Sequence, residues 1–237
     1  MSAHDYKQFA NTYAELRIDG TFYLAFRDLP QIFESYLQED DKRALDYGCG
    51  PGRSTRFLET LGFHTVGVDI SEDMLSQARQ IDSTGEYHLI QSGMLPFEDN
   101  SFGLVFSSFV FLEVSSLDKI QQILAEMKRV LKETGVIVIV TSPFDCYKGD
   151  WVSFTYDFPE NKRDIQSGEA VKLQIKNTEV VLYDFHWLEE DYERLFDQVG
   201  LKLADTLRPL GEKDDPVEWL DEETKASTLI YVLQRQS

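Results

Sequence analysis

The sequence of 237 residues has little cysteine, little positive charge and no long apolar run. Its two cysteines, Cys49 and Cys146, make no disulfide framework, and the pattern fits a reducing, cytoplasmic setting. Only 23 Lys and Arg stand against 42 Asp and Glu, a formal charge of −19. A surface that negative repels phosphate backbones and anionic lipid, which argues against a nucleic-acid or membrane partner. No stretch of about 18 apolar residues occurs, so no segment is expected to span a membrane. The polar opening, "MSAHDYKQFANTYAEL", lacks the apolar centre of a signal peptide. No Cys/His spacing points to a metal, and no G-x-S-x-G elbow points to a serine hydrolase. Repeats and low-complexity tracts are missing too.

What is present is enough apolar material for one large domain, with 42% hydrophobic and 13% aromatic residues. Tyr6, Phe9, Ala10 and Tyr13 recur at helical spacing, as do Leu29, Ile32, Phe33, Tyr36 and Leu37, which predicts two opening helices. Short apolar runs then alternate with amphipathic stretches: "RALDY", "HTVGVDI", "EYHLIQS", "FGLVFSSF" and "GVIVIVT" read as strands. Such alternation implies right-handed crossovers, a parallel sheet and helices on both faces. After Thr141 the pattern changes. "VKLQIK" and "VVLYDFHW" alternate with period two around "NTE", which predicts an antiparallel hairpin inserted into the frame. "LKLADTL" and "STLIYVLQ" have no helix between them and are expected to pair antiparallel at one sheet edge. The charged segment between them, "GEKDDPVEWLDEE", reads as a solvated loop.

Three glycines, Gly48, Gly50 and Gly52, sit between the first strand and a helix with Ser54 as its expected N-cap. In open α/β sheets, ligands bind at the carboxyl ends of the strands. Bare backbone at Gly48 and Gly50 lets a ligand come close. Asp69, ending the second strand, is placed to accept both hydroxyls of a ribose. A dinucleotide fingerprint would need a third glycine at 53, where the chain has Arg53. Asp46 at the mouth of the loop disfavours a pyrophosphate and favours a cation, such as the amino group of an amino acid. A nucleoside joined to an amino acid is S-adenosylmethionine.

"LDYGCGPGRSTRFL" resembles the first motif of class I S-adenosylmethionine-dependent methyltransferases, and "VGVDIS" with Met74 resembles the second. "LIQSGMLPFEDNSFGLVFSS" resembles the third and fourth, and "EMKRVLKETGVIVIV" the stretch entering the fifth strand. These cover about residues 44 to 140. "YKQFANTYAEL" is similar to the N-terminal lid of the small-molecule, methyltransferase type 11 branch. The spacing of "DFPEN", "HW" and "PLG" resembles N-methyltransferases of toxoflavin-type azapteridine biosynthesis. The resemblance implies a Rossmann-like α/β fold: seven strands, mostly parallel, one antiparallel C-terminal strand, and a β insertion after strand five. It implies a helical lid over 1–40, a cofactor-binding core over 41–141, an acceptor-covering insertion over 142–187, and a completing segment over 188–237.

By the same resemblance, Asp46 and Gly48 would meet the methionine amino end, Gly48 and Gly50 its backbone path, and Asp69 the ribose. Cys49 would be a small filler beside the ligand. Ile70 and Met74 would flank adenine. Gln91, Ser92 and Gly93 stand where the family often has an aspartate for the adenine amino group. Ser107 and the lid residue Tyr13 would border the methionine portion. The expected reaction is in-line methyl transfer to a nitrogen or oxygen of a small molecule. A phenol or acid acceptor would need a base, and position filters the histidines. His64 and His88 begin strands, away from the ligand edge, and His4 precedes the lid. His186 is left as the candidate base, against a structural reading in which Asp184 satisfies it. Tyr183 and Trp187 share the opposite, aromatic face and are candidates to line an acceptor pocket, against simple core packing. Tyr156 in "FTYDFPEN" and Glu113 in "FLEV" are further acceptor candidates, Glu113 facing a cation or merely solvated. Two alternatives stand beside this reading: a non-catalytic S-adenosylmethionine-binding module, and a nicotinamide-dependent oxidoreductase.

Overall fold

Strand residues of alternating side-chain direction sort this molecule into layers. The computed structural model describes residues 6–38 and 42–236, and His4 lies outside them. Three helices come first, α1 (Tyr6–Glu15), α2 (Thr21–Arg27) and α3 (Leu29–Tyr36). The α/β frame follows as β1 (Arg43–Tyr47), α4 (Arg53–Thr60), β2 (His64–Asp69), α5 (Glu72–Ile81), β3 (Glu86–Leu89), β4 (Phe102–Ser108), α6 (Leu117–Val130) and β5 (Leu131–Thr141). Then come three short strands, β6 (Phe154–Thr155), β7 (Glu169–Ile175) and β8 (Val181–His186), and finally α7 (Glu189–Gln198), β9 (Leu201–Leu207) and β10 (Leu229–Arg235).

The main sheet runs β3-β2-β1-β4-β5-β10-β9. β1 pairs in parallel with β2 and with β4, and β10 is antiparallel to both its neighbours. The fold class is therefore the expected one. On β5, Val136, Val138 and Val140 face a layer holding Phe26, Leu29 and Phe33 of the opening helices and Leu58 of α4. Ile137 and Ile139 face the other layer, built from α6 and α7. α6 reaches the sheet through Ile120, Ile123, Leu124, Met127 and Val130, all buried and at helical spacing. Each such side chain contributes roughly 1.5–3 kcal/mol by leaving water. Ser71 caps α5 by accepting from Met74 N, with Glu72 and Asp73 in the first turn where the dipole favours them.

β6, β7 and β8 form a separate sheet with its own core, including Trp151, Phe154, Val171 and Leu173, against which Tyr13, Leu16 and Phe22 pack. The hairpin was expected; β6 and α2 were not. α2 is seven residues long and starts at Gly20 without a side-chain cap, so no local signal announces it. The acidic segment before β10 is more than a solvated loop. Glu222 is fully buried; its Oε1 accepts from Thr21 Oγ1 at 2.6 Å and Val152 N at 2.8 Å, and its Oε2 from Leu220 N at 3.0 Å.

Candidate functional site

The chain leaves β1 toward β2 and β3 on one side, then returns to place β4 on the other. The crevice above β1 is thus the switch point of the sheet, where α/β folds bind ligands. The glycine loop lies there. Gly48 N and Cys49 N both donate to Val68 O, at 2.8 and 3.0 Å. Gly50 N donates to Asp69 Oδ2 and Ser71 N to Asp69 Oδ1, each at 2.8 Å. With the Ile70 N–H also facing it, the carboxylate still has acceptor capacity left for a ligand.

Two of the loop glycines are needed for different reasons. Both have positive φ, 73° at Gly48 and 52° at Gly50. A Cβ at Gly48 would meet Val110 Cγ2 at 2.2 Å, so its place is taken by protein. A Cβ at Gly50 would meet nothing within 4 Å, and this residue borders the cavity. Both glycines line the cavity, and only at Gly50 is the space beside the backbone open.

Asp46 is also corrected. It is 0% exposed and lies beneath the loop rather than on the cavity wall. Its Oδ2 accepts from Ser54 Oγ and Thr55 Oγ1, each at 2.7 Å, and its Oδ1 has no partner among the described residues. Burial pushes its pKa up to about 6, against the two hydroxyls that hold it down. Ser54 is consequently not the helix cap; Gly52, in left-handed conformation, stands at that position.

A cavity of about 610 Å³ opens above the loop. Gly48, Cys49, Gly50, Asp69, Ile70, Met74, Gln91 and Ser92 line one part of it, and Tyr13, Leu16 and Phe22 border it from the opening helices. Two residues of the expected set do not line it. Ser107 is buried in the sheet and Ser108 lines the cavity in its place, because the strand alternates. Gly93 lies behind, its N–H donating to Tyr47 Oη at 3.0 Å. Arg53 lines the cavity with its guanidinium 5.0 Å from the Phe22 ring centre, donating to Arg17 O. Burial lowers its pKa to about 10.

The insertion sheet walls the other part through Phe154, Tyr156, Leu173, Ile175, Leu182 and Asp184. Glu113, on the short turn Val110–Glu113 after β4, joins them. Among the described residues no hydrogen bond or ion pair engages the carboxyl group of Glu113 or Asp184. Burial raises both to about 8, and for Glu113 the charge of Asp184 adds to the rise.

The expected roles of His186, Tyr183 and Trp187 do not survive this geometry. His186 is 1% exposed, away from the cavity, edge-on to the rings of Tyr147 and Tyr156. Among the described residues neither nitrogen has a hydrogen-bond partner, and burial pulls its pKa down to about 4 against the nearby carbonyls of Phe144 and Pro143, which act to raise it. Tyr183 is 43% exposed and points away from the cavity. Trp187 packs on the main core and donates Nε1–H to Val114 O at 3.0 Å. The alternation along β8 is as expected, but the Leu182 and Asp184 face turns inward. The signal was available, since a carboxylate alternating with buried apolar residues is a polar group at a core-facing position. His64 and His88 lie off the cavity as expected.

A family profile described as a methyltransferase domain matches residues 45–139. Over 103 residues, 44% of this chain, the sequence is 32% identical to the malonyl-(acyl-carrier protein) O-methyltransferase of Enterobacter lignolyticus, covering 40% of that protein. The chain thus spans about two-fifths of the length of that relative. Over 162 residues, 66% of this chain, it is 26% identical to the N-demethylindolmycin N-methyltransferase of Streptomyces griseus, covering 68% of that protein. The fold matches a solved S-adenosylmethionine-dependent methyltransferase from Clostridium acetobutylicum with TM-score 0.66 and 18% identity, over 99% of this chain and 100% of that one. Residues 45–139 thus resemble a methyltransferase domain in sequence, and the whole chain shares the fold of the solved methyltransferase.

Proposed function

We propose that this protein binds S-adenosylmethionine in the crevice above β1 and transfers its methyl group to a small molecule held beneath the insertion sheet. The observation that carries the reading is the open backbone at Gly50, tied to an Asp69 carboxylate that keeps acceptor capacity at the cavity wall. Asp69 would take the ribose hydroxyls, Ile70 and Met74 the faces of adenine, and Gln91 and Ser92 its edge. Gly48, Cys49 and Ser108 would follow the methionine portion, with Tyr13 over it. The chemistry supplied by bound S-adenosylmethionine is an electrophilic methyl on a sulfonium, released as a neutral thioether.

The protein's part is positioning and exclusion of water. Alignment of acceptor and methyl can supply roughly 7–11 kcal/mol of barrier reduction. The opening helices act as a lid and residues 142–187 as the acceptor's cover; both put apolar walls on the cavity. Calorimetric titration with S-adenosylhomocysteine, with NADH as control, tests the reading. Micromolar binding of the first alone is expected. Binding of neither, or of NADH, overturns it.

A further inference from the structure

We propose that Glu113 and Asp184 form the acceptor subsite, and that the acceptor is a basic amine methylated on nitrogen. This rests on the methyl-transfer reading above. The two acids come from elements far apart in sequence and meet in one cavity wall. Asp184 is 7% exposed, and among the described residues it has no hydrogen-bond or ion-pair partner. The wall around it is apolar, from Phe154, Leu173 and Leu182. An acid left without a partner in such a place is costly unless a ligand supplies a donor or a cation.

Among the described residues neither is supplied. The cavity's own cations are engaged elsewhere: Arg53 with Arg17 O and the Phe22 ring, and Lys119 with Ser92 O at 2.5 Å and Gln122 Oε1 at 3.2 Å. The titratable groups that feel the charge of Asp184 are Tyr13 on α1, Glu113, Cys146, Tyr156 and Tyr192 on α7. None of them is a cation. Burial favours the neutral form of both acids, and the charge of Asp184 adds to this at Glu113, so the pair is suited both to hold an ammonium and to take a proton from it.

The proton balance follows. A protonated amine gives one proton to an ionised carboxylate of the pair. The freed nitrogen lone pair forms the bond to the methyl carbon as the carbon–sulfur bond breaks, and sulfur keeps that electron pair. The N-methylated product leaves as an ammonium ion, and the proton on the carboxyl group passes to water.

The test uses the full chain saturated with S-adenosylhomocysteine. Benzylamine, phenethylamine and tryptamine are titrated against benzyl alcohol, 2-phenylethanol and tryptophol by calorimetry at pH 7.5. The amines are expected to bind at least tenfold more tightly than their alcohols. Glu113→Gln and Asp184→Asn should each reduce that preference, and the double variant should abolish it, with S-adenosylhomocysteine affinity staying within threefold. Equal binding of alcohols, no preference anywhere in the panel, or a preference surviving the double variant overturns the proposal. So does a parallel loss of S-adenosylhomocysteine affinity, which would assign the acids to that ligand's own amino group. Failure of the parent chain to bind S-adenosylhomocysteine overturns the methyl-transfer reading itself, and is seen before any amine is added.

Discussion

Gly50 donates its backbone N–H to Asp69 Oδ2 at 2.8 Å, so the loop after β1 and the end of β2 hold each other in register. Asp69 therefore shapes the crevice as well as facing it. Asp69→Ala should lower S-adenosylhomocysteine affinity at least tenfold, in line with loss of charge-assisted hydrogen bonds worth about 1.5–3 kcal/mol. Calorimetry on the variant measures this directly, and unchanged affinity would remove the ribose assignment.

The glycines should separate stability from binding. Gly48→Ala places a methyl group against Val110 at positive φ and should cost about 1–3 kcal/mol or more, seen as a lowered urea midpoint. Gly50→Ala meets no protein atom within 4 Å. It carries only the left-handed backbone strain of about 1–2 kcal/mol, so its midpoint should fall less than that of Gly48→Ala, while S-adenosylhomocysteine weakens at least tenfold. The reverse pattern would show that the open side of the loop is not the binding side.

His186→Leu should leave kcat within about threefold of the parent. It removes two buried nitrogens that have no hydrogen-bond partner among the described residues, so Tm should stay level or rise. A hundredfold fall in kcat, with Tm intact, would restore the histidine as a base.

Asp184 makes the protein's stability depend on pH in a defined direction. Its carboxyl group is raised from 3.8 to about 8 in the folded protein. Below about pH 4 both folded and unfolded chains hold the proton, and the group costs nothing. As pH rises toward 8 the unfolded chain releases its proton while the folded one must keep it, so stability falls. Asp184→Asn should therefore melt near the parent's temperature at pH 4.5 and about 4 °C or more above it at pH 8.5. Calorimetric melts at the two pH values check this, and a difference independent of pH would contradict the burial of an unpaired acid.

The wall made by the glycine loop and Asp69 was legible because it is written locally. A glycine loop between strand and helix, and an acid at the end of the next strand, are short-range constraints on one turn each. The opposite wall was not, because Glu113, Tyr156 and Asp184 reach it from separate segments, and no local pattern records that meeting. Asp46 shows a second limit. An acid beside a glycine loop looks like a ligand contact until Ser54 and Thr55 fold over it. At β8 the alternation was readable, but aromatic weight suggested the wrong face, since the carboxylate at 184 and not the ring at 183 turns inward.

Glu222 joins three pieces of chain through one buried carboxyl group: Thr21 at the start of α2, Val152 before β6, and Leu220 beside it. Thr21 and Ser153 exchange two more hydrogen bonds, at 2.8 and 3.0 Å. Separating α2 from the insertion would strand several polar groups out of reach of water at once. α2 and the insertion are thus tied into one unit, so a displacement of either would carry the other with it.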